Sequence, residues 1–112
     1  MEEGISRKPV VVSNEFKISR ISIYDYTLDT FGHFQAERYL QLIAKALSTL
    51  CDFYLAYPQC RYLATQSRIY RNIILDAHLI IYRITKERIE VLDIIHSASS
   101  IRKIRASRSI RM

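Results

Sequence analysis

Three β-branched and aromatic-rich segments, residues 68–75 (RIYRNIIL), 77–84 (AHLIIYRI) and 88–96 (RIEVLDIIH), are separated by Asp76 alone and then by Thr85-Lys86-Glu87. A parallel crossover needs a dozen or more residues, so links this short permit only antiparallel hairpins. The segments predict a three-stranded meander with two partly apolar faces. Ile80, Tyr82 and Ile84 share one side of the middle strand, and Leu79 and Ile81 the other. In the last strand Ile89, Val91 and Ile95 oppose Leu92 and Ile94. Such a sheet has to be covered twice.

The first half of the chain supplies one cover. Residues 8–13 (KPVVVS) read as a strand, with Pro9 tolerated at its start or on an edge. Ser13 and Asn14 offer a helix N-cap, and Glu15 suits the positive end of the first turn. From there Ile18, Ile21, Tyr24 or Asp25, Leu28 and Phe31 recur in steps of three and four, predicting a helix that Gly32 ends. A second run follows at once. Phe34, Tyr39, Leu42, Ile43, Ala46, Leu47, Leu50 and Tyr54 line one face until Pro58 stops it. Two helices joined by so short a turn form an antiparallel hairpin. The expected fold is α+β, a small antiparallel sheet in the order β-α-α-β-β-β with the helical hairpin packed on one face. The 112 residues suit a single domain, 1–112, with a core at about 8–96 and a basic C-terminal tail at 97–112. The hairpin covers one sheet face. The other is expected to be covered by a partner, a small tail folding back being the alternative.

Charge says something about that partner. Residues 1–56 hold six Lys/Arg and seven Asp/Glu, whereas residues 57–112 hold eleven and four. The second half, at +7, should attract something acidic: nucleic acid, an acidic peptide or a ribosome. The tail carries Arg102, Lys103, Arg105, Arg108 and Arg111 with no acid, and a weak helical stripe of Ile101, Ile104 and Ala106; a solvated, frayed tail is its plain reading. No apolar run approaches the roughly 18 residues of a membrane span. The opening MEEGISRKP lacks the apolar stretch of a secretory signal. Cys51 and Cys60 read as reduced thiols, without the spacing of a zinc site. Neither metal nor cofactor is expected.

The helical hairpin carries a resemblance. Ile23-Tyr24-Asp25-Tyr26-Thr27, then Phe31-Gly32 and Gln35-Ala36-Glu37-Arg38-Tyr39, resembles the ParE branch of the ParE/RelE toxin superfamily, with its acidic-aromatic first helix, FG turn and QAxxY start to the second. His78-Leu79-Ile80-Ile81-Tyr82-Arg83-Ile84 is similar to that family's H-x-I-x-Y-R strand, and Ile89 to His96 to its I-x-I-x-x-I-x-H strand. Order and spacing agree across roughly residues 8–96. A glycine common in the family just before the second-strand arginine is missing between Ser67 and Tyr70.

The resemblance implies the toxin of a bacterial type II toxin–antitoxin pair, located in the cytoplasm. It implies a cognate antitoxin, with an acidic and partly disordered segment, wrapping the toxin. A homodimer or a heterotetramer with the antitoxin is compatible with it. ParE-like members inhibit DNA gyrase by binding, so no catalytic residue is expected. The alternatives are a ribosome-dependent mRNA endonuclease of RelE type and a non-toxic antitoxin-binding relative. As a ribonuclease the chain would draw on Arg68, Arg71, Arg83 and His96, with Arg61 and His78 as further candidates for charge stabilisation and proton transfer. The C-terminal Tyr common among RelE-like nucleases has no counterpart, since nothing aromatic follows Tyr82. Antitoxin or target binding would fall to Arg61, Arg68, Arg71, Arg83, Arg102, Lys103 and Arg105. Each has a plainer reading: the strand arginines as solvated side chains, His78 and His96 as structural residues at strand ends. Tyr24, Tyr26 and Tyr39 read as packing groups, and Asp25 and Asp29 as a solvated helix face.

Overall fold

A computed structural model describes residues 6–112. The reading of the opening residues as free of a secretory signal falls largely on residues 1–5, outside the described residues.

Strand β1 (Val10–Val12) leads into helix α1 (Asn14–Phe31). Ser13 makes the junction: its hydroxyl accepts from Phe16 N–H, capping the helix, and donates to the Leu92 carbonyl on the sheet. Gly32, at φ 92°, turns the chain directly into α2 (His33–Ser48). A short α3 (Leu50–Phe53) follows, divided from α2 at Thr49, whose hydroxyl turns back to the Ala46 carbonyl and meets the Tyr57 hydroxyl. Next come β2 (Tyr70–Ile74), β3 (His78–Ile84) and β4 (Ile89–His96). The chain ends in α4 (Ile101–Ala106) and a 3-10 turn at Ser107–Ser109.

The sheet order is β1-β4-β3-β2. β2, β3 and β4 form the antiparallel meander expected from their links. β1, however, pairs parallel to β4, with Val10 opposite Ile89, so the sheet is mixed and not wholly antiparallel. The short-link rule fixes direction only between consecutive strands. Nearly sixty residues lie between β1 and β2, enough to enter the sheet in either sense.

A β-bulge between Ile81 and Tyr82 shifts the β3–β4 register. It puts one extra residue into β4 and exchanges the faces beyond it. Ile89, Val91 and Ile94 therefore face the hairpin with Ile80, Tyr82 and Ile73, while Leu92 and Ile95 face away with Ile81. The expected pairing of Ile95 with Ile89 and Val91 fails for that reason.

The hairpin face is closed by Phe16, Ile43, Leu50 and Tyr54, all buried. The opposite face is closed as well, and by this chain. Cys60, Leu63 and Ile104 pack onto Ile81, Leu92, Ile95 and Tyr70, with Tyr62, Ile69, Leu79 and Ile110 around them. The expectation of an open apolar sheet face awaiting a partner is overturned. The tail is no frayed extension: Ser100 caps α4 by accepting from Lys103 N–H, and Ile104 is 2% exposed. Burial of Ile104 and Ile110 against the sheet, with the hydrogen bonds from Arg83 to the Arg108 and Ile110 carbonyls, anchors a segment too short to be helical on its own.

Most of the uncovered apolar surface lies on the hairpin instead, with Ile74 of β2 and Phe53 and Leu55 at and after α3 exposed as well. α1 buries Phe16 and half-buries Ile23, yet the stripe read as its packing face points outward: Ile18 is 68% exposed, Ile21 62% and Phe31 64%. On α2, Phe34 is 76% exposed, while Ala36 and Ile43 are buried. No described helix is long and apolar enough to cross a membrane.

Candidate functional site

The hairpin and one end of the sheet frame a groove of about 1490 Å³. Ile23, Tyr26 and Phe31 of α1 and Tyr39 and Leu42 of α2 give it apolar walls. Arg38, Lys45 and Asp76 stand at its rim, and His78 and His96 close its end. The two histidines are directly opposed across β3 and β4, with ring centroids 5.4 Å apart in an edge-on arrangement. The Tyr39 hydroxyl lies 2.6 Å from His78 Nδ1, which ties α2 to the sheet. Burial lowers the His78 pKa, the neighbouring His96 lowers it further, and Asp76 opposes both. Burial also raises the Tyr39 phenol. His96 is exposed, and its Nδ1 accepts from Ala98 N–H at the start of the tail.

A second, shallower groove runs along the outer seam of the hairpin, lined by Ile21, Tyr24, Leu40 and Ala44 between Arg20 and Glu37. Tyr24 donates to Glu37 across this seam at 2.9 Å. Tyr26, read as a packing group, is instead largely exposed.

The candidate arginines are distributed over both faces of the sheet. Arg71 points to the hairpin face, where its guanidinium donates to the Leu55 and Tyr57 carbonyls, and its Nε to the Arg68 carbonyl. It ties down the loop that follows α3. Arg83, next to Tyr70 in the register, points to the tail face. It donates twice to Glu90, at 2.6 and 2.9 Å, lies over the Tyr70 ring, and reaches the Arg108 and Ile110 carbonyls. It holds the C-terminal segment on the sheet. Burial alone would raise the Glu90 carboxyl, but hydrogen bonds from Arg83 and Arg88 outweigh it and hold the pKa low.

Arg68 is exposed and is the one described non-glycine residue with positive φ, at 57°. It occupies the stretch where the family's glycine is missing. Arg61 is exposed and lies over the Tyr62 ring. Arg102, Lys103 and Arg105 are exposed on α4.

The four residues of the ribonuclease reading do not converge. Arg71 and Arg83 lie on opposite faces. His96 is paired with His78 at one end of β3, whereas Arg83 is five positions along, about 17 Å at 3.4 Å per residue. General acid–base work on a phosphodiester needs its base, acid and cations within hydrogen-bond reach of one reacting group. The structure does bring together Tyr39, His78 and His96, and Arg83 with Glu90. Sequence reasoning missed both groupings. The second escaped because the link was read one residue short: a Thr85–Glu87 link pairs Arg83 with Ile89, whereas the four-residue turn Thr85–Arg88 sets Arg83 opposite Glu90.

Comparison with known proteins finds matches of two kinds, to a family model and to solved structures. The family model described as the ParE toxin of type II toxin–antitoxin systems matches residues 10–101. Among solved structures, one described as the chromosomal ParDE TA system from P. aeruginosa is similar at a TM-score of 0.68 and 16% identity. The match covers 80% of this chain and 96% of that one. At that identity the likeness is one of fold. No curated protein matches.

Proposed function

This chain belongs to the ParE toxin family of type II toxin–antitoxin systems, and from that premise we propose that it acts by binding its target, DNA gyrase, and not by cutting RNA. The observation that carries the reading is the separation of the would-be nuclease residues. Arg71 and Arg83 are committed to carbonyls and to Glu90 on opposite sheet faces, away from His96. A gyrase poison needs no such convergence. It needs a shaped surface that lodges on one state of the enzyme–DNA complex and holds it there.

Neutralisation belongs to the same proposal. A cognate antitoxin covers what the chain leaves bare, which is the hairpin and not the sheet. Ile18, Ile21, Phe31 and Phe34 offer apolar area, and Arg38 and Lys45 give the larger groove a cationic rim for an acidic, amphipathic segment. The ordinary setting for such a pair is the bacterial cytoplasm.

Induced expression with two readouts tests the target. Filamentation and a DNA-damage response, with translation persisting through the first division times, is the expected result. Rapid arrest of translation with cuts at codon positions in mRNA would overturn the gyrase reading in favour of the ribosome.

A further inference from the structure

The tail face of the molecule presents a concentration of positive charge that folding of the sheet does not require. α4 and the turn after it place Ile104 and Ile110 inward on the second core cluster. At 100° per residue, Arg102, Lys103 and Arg105 then fan around the flanks and back of the helix, away from Ile104. Arg108 and Arg111 continue the exposed run, and Arg61 borders it from the neighbouring 3-10 turn. Among the described residues none of these six cations is in an ion pair. Burial raises the Asp93 carboxyl, and Lys103 lies near enough to oppose that rise. The platform is held in place by the Arg83 bonds to the Arg108 and Ile110 carbonyls.

We propose that this cationic platform binds the phosphate backbone of duplex DNA, giving the protein a grip on the nucleic acid as well as on its protein target. The inference rests on the gyrase reading only for where that DNA is met, in the enzyme's complex with its substrate. Charge density separates DNA from an acidic peptide. α4 and its turn cover about 15 Å, over which duplex DNA carries roughly nine charges at one per 1.7 Å. An extended peptide, at about 3.3 Å per residue, brings at most four or five. The platform is also poor in the aromatic or aliphatic anchors that a protein interface draws its energy from: Ile104 and Ile110 are turned inward, leaving Ile101 and Met112, each less than half exposed, among five cations of the same segment. It is built for electrostatics without sequence readout.

The test is fluorescence anisotropy of a labelled 20-base-pair duplex with the full chain and no gyrase, across a salt series. Binding is expected, with log affinity falling against log salt at a slope of about −4, as four or five released counterions give. Arg102→Glu with Arg105→Glu should weaken binding about tenfold or more and flatten the slope by about two. Lys17→Glu, a charge reversal on exposed α1, serves as control beside Arg105→Glu alone and should stay within about twofold of wild type. Thermal melts establish that each variant is folded. No binding by the wild type at low salt would overturn the proposal. So would an equal loss in Lys17→Glu and Arg105→Glu, or binding of poly-glutamate as tight as that of the duplex at equal charge. A chain that inhibits gyrase without binding duplex refutes the platform alone. A chain that binds duplex and leaves gyrase active refutes the target and keeps the platform.

Discussion

Arg68 shows how a single residue departs from its local chemistry. At φ 57° it holds a left-handed conformation that glycine adopts freely and a side chain resists. Its carbonyl, which accepts from Arg71, would survive a change to glycine. Arg68→Gly is therefore expected to stabilise the fold by about 1 kcal/mol in a denaturant melt; unchanged or lower stability would mean that the exposed side chain contributes more than the backbone strain. Arg83 departs in the other direction. Read from the sequence as a binding or ribonuclease candidate, with a solvated strand residue as the plainer alternative, it is the bridge between Glu90 and the C-terminal carbonyls. Arg83→Ala should cost about 2 kcal/mol, between the values for exposed and buried pairs, because it leaves a buried carboxylate with Arg88 alone. A loss of toxicity in that variant would not by itself make Arg83 a contact residue. His78 sets a pH dependence. Its folded pKa is lowered, chiefly by burial, so the neutral form is favoured and the associated stability is present above the ordinary histidine range near 6.5. That stability is lost as pH falls through the folded value. Melts of wild type against His78→Gln should diverge at neutral pH and converge on acidification; a constant gap would remove His78 titration from the account.

At the scale of elements, the tail is the piece whose role changed most between sequence and structure. Ile104→Ala empties a site that is 2% exposed and should cost about 3 kcal/mol, with the second face of the sheet opening to a hydrophobic dye. A neutral substitution there would mean that α4 is not the cover. The strands were legible because links of one and three residues leave one geometry. The bulge was not, because no residue type announces an extra position inside an apolar strand; Leu92, Ile94 and Ile95 fit either face equally well. α1 was legible as a helix but not in its orientation. Phe16 and Ile23 lie on one side and Ile18, Ile21 and Leu28 on another, so periodicity fits two stripes, and the longer one faces solvent. For the same reason Ile18→Gln with Ile21→Gln should change stability by no more than about 0.5 kcal/mol while weakening capture of the antitoxin. A large loss of stability would place those residues in the core after all. In the candidate site the charges were legible and their partners were not, since Tyr39 and His78 are brought together only by α2 crossing the end of the sheet.

For the whole molecule, charge and apolar surface are divided between two sides. The hairpin side exposes apolar residues at its tip and along α1, and the tail side exposes cations on α4. Both sides of the sheet between them are sealed by the chain itself. Both faces of the sheet are thus covered, and most of the exposed apolar and cationic surface lies outside it, where a partner can reach it without unfolding anything. That arrangement suits the proposed action by binding, in which a preformed surface docks with little change of shape. The most direct measurement is a titration of purified gyrase with the purified chain, scoring supercoiling and cleaved DNA together, with mRNA in a translating extract as the parallel substrate. Loss of supercoiling at near-equimolar toxin, accumulation of cleaved DNA and intact mRNA are expected. Active gyrase beside codon-positioned cuts in the mRNA would contradict the account.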